Sequence, residues 1–371
     1  MSSRIIIAGA GSGKTTWLIN EAIKIKEDRV LITTFTDANE ANIREQLFSK
    51  CGCIPSNITV LTWFSLLLQH GVKPYQSKLY SGNISGLLLV NQKSGFKTVW
   101  KGRPLYYGEN DTELYYFSKA KRIFSDKIAK FTCRANEKAN GSVINRLCRI
   151  FPNIFIDEVQ DLAGYDLEIL RLLHQESINL VMVGDPRQVT YHTHDESKYK
   201  QYNEGKIADY VRAYCKGAII DETTLSISHR NNKAISEYAN KVYPSFPPCT
   251  GTDHSQTGHD GLFLVSPSLV EDYIKKYHPV QLRDKRTVRT SDSADSCNFG
   301  NSKGLTFDRV LIYPTKPMVA WIKNHSSMLE PKSRAKLYVA ITRAKHSVAF
   351  VDENTDDSKL DGISRWYGQM Q

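Results

Sequence analysis

The sequence has no long apolar run. No stretch of its 371 residues approaches the roughly 18 consecutive apolar residues that a membrane-spanning helix requires. The apolar run at residues 5–7 is also too short for the hydrophobic region of a signal peptide, and it leads directly into a glycine-rich loop. We therefore expect a cytoplasmic protein without a membrane partner.

Cysteine is sparse and irregularly placed. The seven cysteines show no repeated spacing, which argues against a disulfide scaffold and predicts reduced thiols. Cys51 and Cys53 lie close together, but no second Cys or His pair follows at the spacing of a zinc site. A structural role is favoured for this pair and for His192 and His194. The sequence also lacks an internal repeat of fixed period.

Negative charge is under-represented relative to positive charge. The chain has 49 Lys and Arg against 39 Asp and Glu, a formal net charge of +10. This excess favours a polyanionic partner, either nucleic acid or an anionic membrane surface. The length predicts two or more domains.

Short β-type apolar runs alternate with helical patterns along the chain. The predicted strands are residues 4–8, 30–34, 58–61, 154–157, 180–184, 309–313 and 347–351. The predicted helices are residues 15–26, 38–48, 167–174, 232–242 and 333–342. This alternation predicts an α/β fold with parallel sheets. Two stretches of different composition, about 75–140 and about 244–285, are predicted insertions.

Residues 8–15 read AGAGSGKT between a predicted strand and a predicted helix. Glycines allow successive backbone N–H groups to surround phosphates at a helix N-terminus, where Lys14 would reach the β- and γ-phosphates and Thr15 would bind Mg²⁺. The alternative is a simple strand-to-helix turn of small residues, since Ala8 stands where the strict motif has Gly. The candidate ATP-binding residues here are Ala8, Gly9, Ala10, Gly11, Ser12, Gly13, Lys14, Thr15 and Thr16.

Two further strands end in polar residues that suit phosphate chemistry. Asp157 and Glu158 follow an apolar strand, where the Asp suits Mg²⁺ binding and the Glu suits activation of a water molecule. Gln188 follows the next apolar strand and is placed to sense the γ-phosphate or the attacking water. Either motif alone is weak, because acids that end a strand often form only a solvated turn.

Seven segments in order resemble the UvrD, Rep and PcrA group of superfamily 1A DNA helicases. They are AGAGSGKT, TTFTDANEANIRE at 33–45, FIDEVQDL, VMVGDPRQ, SISHR at 226–230, NSKGLTFDRVLI at 301–312 and LYVAITRAK at 337–345. The resemblance implies two RecA-like P-loop NTPase domains with ATP in the interdomain cleft. It places them at residues 1–215, with a basic and aromatic insertion at about 75–140, and at residues 216–371, with a reduced insertion at about 244–285.

The resemblance also implies roles for individual residues, with ATP and Mg²⁺ as cofactors. The implied catalytic residues are Lys14, Asp157, Glu158, Gln188, Arg230 and Arg343. Arg230 and Arg343 match the arginines that reach the γ-phosphate from the second domain. His229 stands where the family has a Tyr stacked on adenine, and Gly304 belongs to the implied nucleotide site. Thr306 replaces a Glu that contacts the ribose in relatives, so we expect a relaxed nucleotide preference.

The implied DNA-binding residues lie in three short stretches of the sequence. They are Phe35, Thr36, Thr62, Trp63, Phe64 and Tyr191. Aromatic side chains stack on bases without reading sequence, but core packing is the alternative for Trp63 and Phe64. The insertion at about 75–140 has two interpretations, a nucleic-acid surface or a solvated face over a small core.

These implications favour an ATP-dependent DNA helicase or translocase. Its ATPase would be stimulated by single-stranded DNA, and it would move 3′ to 5′ on single-stranded and tailed duplex DNA. The alternative is a partner-dependent, DNA-sensing ATPase subunit that controls a nuclease, similar to the helicase of the Gabija anti-phage system. A small-molecule P-loop kinase would leave both arginine motifs unexplained.

Overall fold

The computed structural model describes residues 3–190, 197–252, 256–353, 356 and 360–368. The chain divides into two compact units. The first consists of residues 3–5, 15–184 and 197–220, and the second consists of residues 6–14, 185–190 and the described residues from 221 onward.

The first unit is built around a six-stranded sheet. The strands up to residue 221 are β1 (Arg4–Ile7), β2 (Val30–Thr34), β3 (Ile58–Thr62), β4 (Gly86–Leu88), β5 (Phe96–Trp100), β6 (Arg103–Tyr106), β7 (Arg122–Phe124), β8 (Asn153–Ile156), β9 (Asn179–Gly184) and β10 (Ile219–Asp221). The order in the large sheet is β10-β1-β9-β8-β2-β3, and β2 pairs in parallel with both β3 and β8. Every residue of β2 is buried, as expected for a central strand covered on both faces.

The first unit also contains helices. They are α1 (Lys14–Lys24), α2 (Asp37–Cys51), α3 (Trp63–Leu66), α4 (Thr112–Tyr116), α5 (Ile128–Lys138), α6 (Ser142–Ile150), α7 (Tyr165–His174) and α8 (Ile207–Tyr214). Local sequence fixes both ends of α2. The Thr36 side chain accepts a hydrogen bond from the Asn39 amide at the N-terminus. Gly52 ends the helix in a left-handed conformation, with its amide donating to the Phe48 carbonyl.

The second unit has a six-stranded sheet in which all pairings are parallel. The strands of the second unit are β11 (Ile227–Ser228), β12 (Thr250–Gly251), β13 (Gly261–Val265), β14 (Val280–Arg283), β15 (Ser296–Asn298), β16 (Phe307–Ile312), β17 (Ala344–Val351) and β18 (Ser364–Trp366). Its helices are α9 (Lys233–Val242), α10 (Val270–Tyr277), α11 (Lys316–Lys323) and α12 (Pro331–Ile341). The sheet order is β15-β14-β16-β17-β13-β18. One apolar cluster includes Tyr238, Leu262 and Leu337, and a second includes Val265, Tyr273 and Trp366. The predicted α/β fold with parallel sheets is confirmed.

The insertion predicted at 244–285 is not an insertion over most of its length. Within it, β13 pairs with β17 and β18, and β14 pairs with β15 and β16, so both strands belong to the main sheet. The apolar run GLFLV of β13 has the pattern of a buried strand, but the surrounding Pro, Gly, Ser and His residues obscured it in the composition. The insertion was predicted because this short apolar strand lies inside a polar stretch.

The stretch at 75–140 forms small separate sheets. Strands β4 and β7 pair in parallel, while β5 and β6 form an antiparallel hairpin. Among the described residues, no helix has the length and apolar character needed to cross a membrane.

Candidate active site

The phosphate-loop sequence forms a tight turn between β1 and α1. Gly11 and Gly13 both adopt positive φ, at 72° and 78°. A Cβ on Gly11 would lie 2.5 Å from Ser228 Oγ and 2.6 Å from Arg230 Cβ. Glycine is therefore required at Gly11 both by its backbone conformation and by the close packing of its surroundings.

Side-chain hydrogen bonds from Lys14 and Ser12 to loop carbonyls keep the loop curved. The Lys14 ammonium group donates to the carbonyls of Ala8 at 3.2 Å and Gly9 at 2.8 Å. The Ser12 hydroxyl also donates to the Gly9 carbonyl, at 2.9 Å. The carbonyls on this side of the loop consequently face a cation, and Lys14 is buried at the site where phosphates are expected.

Within the first unit, the start of α1 meets the end of β8. The Thr15 hydroxyl donates to Asp157 Oδ2 at 2.7 Å, and the Glu158 amide donates to Asp157 Oδ1 at 3.0 Å. Asp157 is buried, and Glu158 follows it in a left-handed conformation with φ of 56°. Such a conformation costs a non-glycine residue about 1–2 kcal/mol.

Gln160 and Thr16, which lie close in sequence to these residues, also form side-chain hydrogen bonds. The Gln160 side-chain amide donates to the Glu158 carboxylate. Thr16, a candidate nucleotide contact, instead donates its hydroxyl to Gln46 Oε1 on α2 at 3.0 Å. The structure thus brings Thr15, Asp157 and Glu158 together, with Thr16 bonded to a different helix.

In the second unit, Asp185 accepts several hydrogen bonds. Arg187 Nε donates to Asp185 Oδ1 at 2.7 Å, and Gln188 Nε2 donates to Asp185 Oδ2 at 2.7 Å. Burial alone would raise the pKa of Asp185. The charges of Arg187 and Lys14, together with these hydrogen bonds, outweigh that effect and lower its pKa. The Asp185 carboxylate is therefore ionised in the folded protein at neutral pH.

Gln188 connects Asp185 to Arg343. Arg343 Nη2 donates to Gln188 Oε1 at 3.1 Å, and Arg343 is only 1% exposed. Its remaining donors reach the carbonyls of Val339 and Leu305, each at 3.1 Å. The guanidinium group is therefore fixed in orientation beside the proposed γ-phosphate sensor.

Arg230 and His229 pack near the phosphate loop in the second unit. Arg230 Nη1 donates to the Thr342 carbonyl at 3.2 Å, next to Arg343 in sequence. The His229 amide donates to the Gly11 carbonyl at 2.8 Å, while the His229 side chain is exposed. Gly304 is exposed with φ of 85°, in the loop before β16.

Tyr338 and Asp185 are site residues that were not singled out from the sequence. The buried Tyr338 hydroxyl accepts the Ala10 amide at 3.2 Å and donates to Asp185 Oδ2 at 3.3 Å. Ser228 donates its hydroxyl to the Ala10 carbonyl at 3.0 Å. All three lie inside the motif segments, so the segments were the available signal. Their hydrogen-bond partners are up to 328 residues away and were not visible in any local pattern.

The candidate DNA-binding residues occupy different environments. Trp63 is 1% exposed and its indole N–H donates to Asp166 Oδ1 at 2.7 Å, so it belongs to the core of the first unit. Phe64 is also buried, and its ring lies 5.3 Å from the ring of the partly exposed Phe35. Thr36 and Thr62 both accept backbone N–H groups at helix N-termini. Tyr191 lies outside the described residues.

The polar atoms near the loop suit a nucleotide with a hard cation better than a transition metal. Within the described ranges, no group of three or more His, Cys, Asp or Glu side chains is arranged to hold a metal ion by itself. Hydroxyl and carboxylate oxygens such as those of Thr15 and Asp157 are typical Mg²⁺ ligands when phosphates supply the remaining positions.

Two family models match this chain. Residues 2–194 match a model described as an AAA domain, and residues 142–352 match a model described as the viral superfamily 1 RNA helicase core domain. Each match covers more than half of the chain. The chain belongs to the superfamily 1 helicases. The superfamily predicted from the motifs is thereby confirmed, whereas the UvrD, Rep and PcrA subgroup stays a prediction.

The individual relatives share little sequence identity with this chain. The RecBCD enzyme subunit RecB of Borreliella burgdorferi is 29% identical over 103 residues, which is 27% of this chain and 8% of that protein. The arterivirus nonstructural protein 10 helicase is 15% identical, with 97% of this chain and 62% of that chain covered at a TM-score of 0.46. The structure titled as its complex with DNA gives 15% identity, 96% and 63% coverage and a TM-score of 0.47. The chain thus spans less than two thirds of each of these proteins.

Proposed function

We propose that this superfamily 1 helicase is a Mg²⁺- and ATP-dependent motor of the UvrD, Rep and PcrA type, which moves 3′ to 5′ along single-stranded DNA. The observation that carries the proposal is the hydrogen bond of 2.7 Å between the Thr15 hydroxyl and Asp157, directly beside Glu158. These three residues have the chemistry needed to bind a nucleotide-associated Mg²⁺ and to activate water.

The side chains fit the cofactors that the motifs imply. Thr15 and Asp157 offer two hard oxygen ligands, and Lys14 offers a cation within the turn. Bound Mg²⁺ would neutralise charge on the phosphates and orient them. The residues therefore fit ATP with Mg²⁺, and His229 presents an exposed ring near the loop on which a base can stack.

The protein's own groups then divide the work of hydrolysis. The Glu158 carboxylate accepts a proton from the attacking water, and Gln160 holds that carboxylate by a hydrogen bond. Arg230 and Arg343 supply positive charge to the γ-phosphate, and Gln188 reports the phosphate state through its bond to Arg343. Phe35 and Thr36, at the start of α2, are the DNA contacts that remain accessible within this proposal.

Hydrolysis and strand displacement test the proposal directly. ATP hydrolysis is measured with and without single-stranded DNA, followed by displacement of a duplex that carries a 3′ or a 5′ tail. We expect DNA to stimulate hydrolysis and a 3′ tail to support displacement. No stimulation would refute the motor, and displacement only from a 5′ tail would overturn the polarity. Stimulated hydrolysis without displacement would favour the partner-dependent ATPase subunit.

Glu158→Gln tests the assignment of the catalytic carboxylate. Removal of the general base should reduce hydrolysis by about 10²- to 10⁴-fold while ATP still binds. Glu237→Gln, an exposed site on α9, is the matched control and should retain full activity. Full hydrolysis by Glu158→Gln would refute the assignment.

A further inference from the structure

The β5–β6 hairpin of the first unit exposes large apolar side chains. Every residue of β5 is exposed, with Phe96 at 55%, Val99 at 59% and Trp100 at 60%. Single exposed apolar residues are common on protein surfaces, but a group of this size on one short hairpin is typical of a binding surface.

The charge of the same hairpin is entirely positive. Residues 93–108 contain three Lys and one Arg, and no Asp or Glu. Each of the three lysines lies against an aromatic ring of the hairpin. The pairs and their ammonium-to-centroid distances are Lys93 and Tyr106 at 4.6 Å, Lys97 and Tyr107 at 5.5 Å, and Lys101 and Trp100 at 4.6 Å. Cations and planar rings are therefore interleaved over the surface.

Local structure fixes the shape of the hairpin. Lys101 and Gly102 both have positive φ, at 49° and 74°, between the paired residues Trp100 and Arg103. This conformation of a two-residue turn matches the twist of the flanking strands. At the other end, the Ser94 hydroxyl donates to Asp126 Oδ1 at 2.5 Å. The exposed rings thus project from a hairpin that is anchored at its base and tightly turned at its tip.

We propose that the β5–β6 hairpin is a second contact site for single-stranded DNA, in which bases stack on Trp100 and Phe96 while the lysines contact phosphates. The inference rests on the proposed function, because it adds a contact to the same DNA. A polyanion with planar rings matches both properties of the surface, its unopposed positive charge and its exposed aromatic faces. A protein partner would need an acidic face to complement this charge, whereas single-stranded DNA supplies both negative charge and planar rings.

Tryptophan fluorescence gives a direct test, because Trp100 is the most exposed of the five tryptophans. Trp63, Trp321 and Trp366 are buried, and Trp17 is partly exposed beneath Arg4. The full chain is titrated with a single-stranded DNA oligonucleotide of about 16 nucleotides, the upper end of common site sizes. A matched oligonucleotide of abasic sites serves as a probe that has phosphates but no bases. We expect quenching by the first probe and little quenching by the second.

Two variants separate stacking from charge. Trp100→Ala should weaken binding about five-fold or more through loss of stacking, and should remove most of the quenching. Lys97→Gln combined with Lys101→Gln should reduce the slope of log affinity against log salt by about 1.4, or about 0.7 for each phosphate contact. Phe48→Ala and Lys50→Gln, exposed positions on α2, are the matched controls and should bind as the unchanged protein does.

The hairpin proposal and the motor proposal can be refuted separately. Unchanged affinity and unchanged quenching in Trp100→Ala would overturn the hairpin proposal, as would equal quenching by the abasic probe, and a protein partner would then be the better occupant. DNA-stimulated hydrolysis is measured on the same preparations. Its absence in the unchanged protein refutes the proposed motor, whereas quenching that depends on Trp100 would still support the hairpin as a DNA contact.

Discussion

At the scale of single residues, the site depends on close contacts that few side chains can make. Gly11 packs against Ser228 and Arg230 in a conformation that only glycine adopts easily. Tyr338 uses its one hydroxyl group to connect the Ala10 amide to Asp185. Both positions are therefore sensitive to changes of one or two atoms.

Gly11→Ala should destabilise the phosphate loop and strongly reduce ATP binding, because the added methyl group would overlap Ser228 and Arg230. Gly52→Ala is a matched control, since Gly52 has a φ of 74° but no atom within 4 Å of an added Cβ. Both variants carry a backbone penalty of about 1–2 kcal/mol. Thermal unfolding and ATP titration should show a larger loss for Gly11→Ala, and equal effects would contradict the packing argument.

Tyr338→Phe should lower the stability of the folded protein by about 1–3 kcal/mol, because the Ala10 amide loses its buried acceptor. We also expect slower ATP hydrolysis, since the connection from the loop to Asp185 is lost. Tyr367→Phe, at an exposed position, should change neither quantity. Unaltered unfolding and hydrolysis in Tyr338→Phe would show that the hydroxyl is dispensable.

At the scale of elements, β13 and α10 enclose a buried histidine. The His259 ring stacks between Phe263 at 3.8 Å and Tyr277 at 3.6 Å, and its Nε2 atom is 2.9 Å from the Tyr273 hydroxyl. Burial, assisted by the positive charges of Arg309 and Lys276, lowers the pKa of His259 to about 4, although Asp260 opposes the shift. The neutral imidazole is thus part of the packing of this layer.

This packing should make the second unit sensitive to acid. Between pH 6.5 and about 4 the unfolded chain binds a proton at His259 that the folded chain does not, so stability is present above this window and is lost as the pH falls through it. Between pH 7 and pH 5 the loss should be on the order of 1–2 kcal/mol. Urea unfolding at pH 7 and pH 5 checks this, with His278→Asn as an exposed control. His259→Gln should lessen the dependence, and an unchanged pH slope would contradict it.

Elements were predictable to the extent that their periodic patterns were uninterrupted. The strand predicted at 30–34 agrees with β2, since five apolar or β-branched residues follow one another. The strand predicted at 347–351 begins earlier, at Ala344, because Ala344 and Lys345 have little strand character in isolation. The first residues of β17 pair with β16 through tertiary structure, which a local pattern does not contain.

At the scale of the whole molecule, the motifs of the site were predictable, but the hydrogen bonds that connect them were not. The chemistry of Thr15, Asp157 and Glu158 follows from residue type and from their positions at the ends of elements. The roles of Asp185 and Tyr338 follow from contacts between distant segments, and the core position of Trp63 follows from its bond to Asp166. Such contacts depend on the packing of the complete chain.

Nucleotide binding should raise the stability of the folded chain as a whole. MgATP at 100 times its dissociation constant should add about 2.7 kcal/mol to the free energy of unfolding. Lys14→Ala should largely abolish this gain, and Lys24→Ala, at an exposed position on α1, should retain it. The measurement is thermal unfolding with increasing MgATP. A full shift in Lys14→Ala would contradict the role of Lys14.

The two hydrogen bonds that Lys14 donates to Ala8 and Gly9 have a kinetic consequence. The ammonium group holds the loop in its curved form through these two bonds. Arrival of a phosphate then becomes an exchange, in which charged oxygens replace neutral carbonyls as partners of the same cation. We therefore expect nucleotide association to proceed without a slow ordering step of the loop.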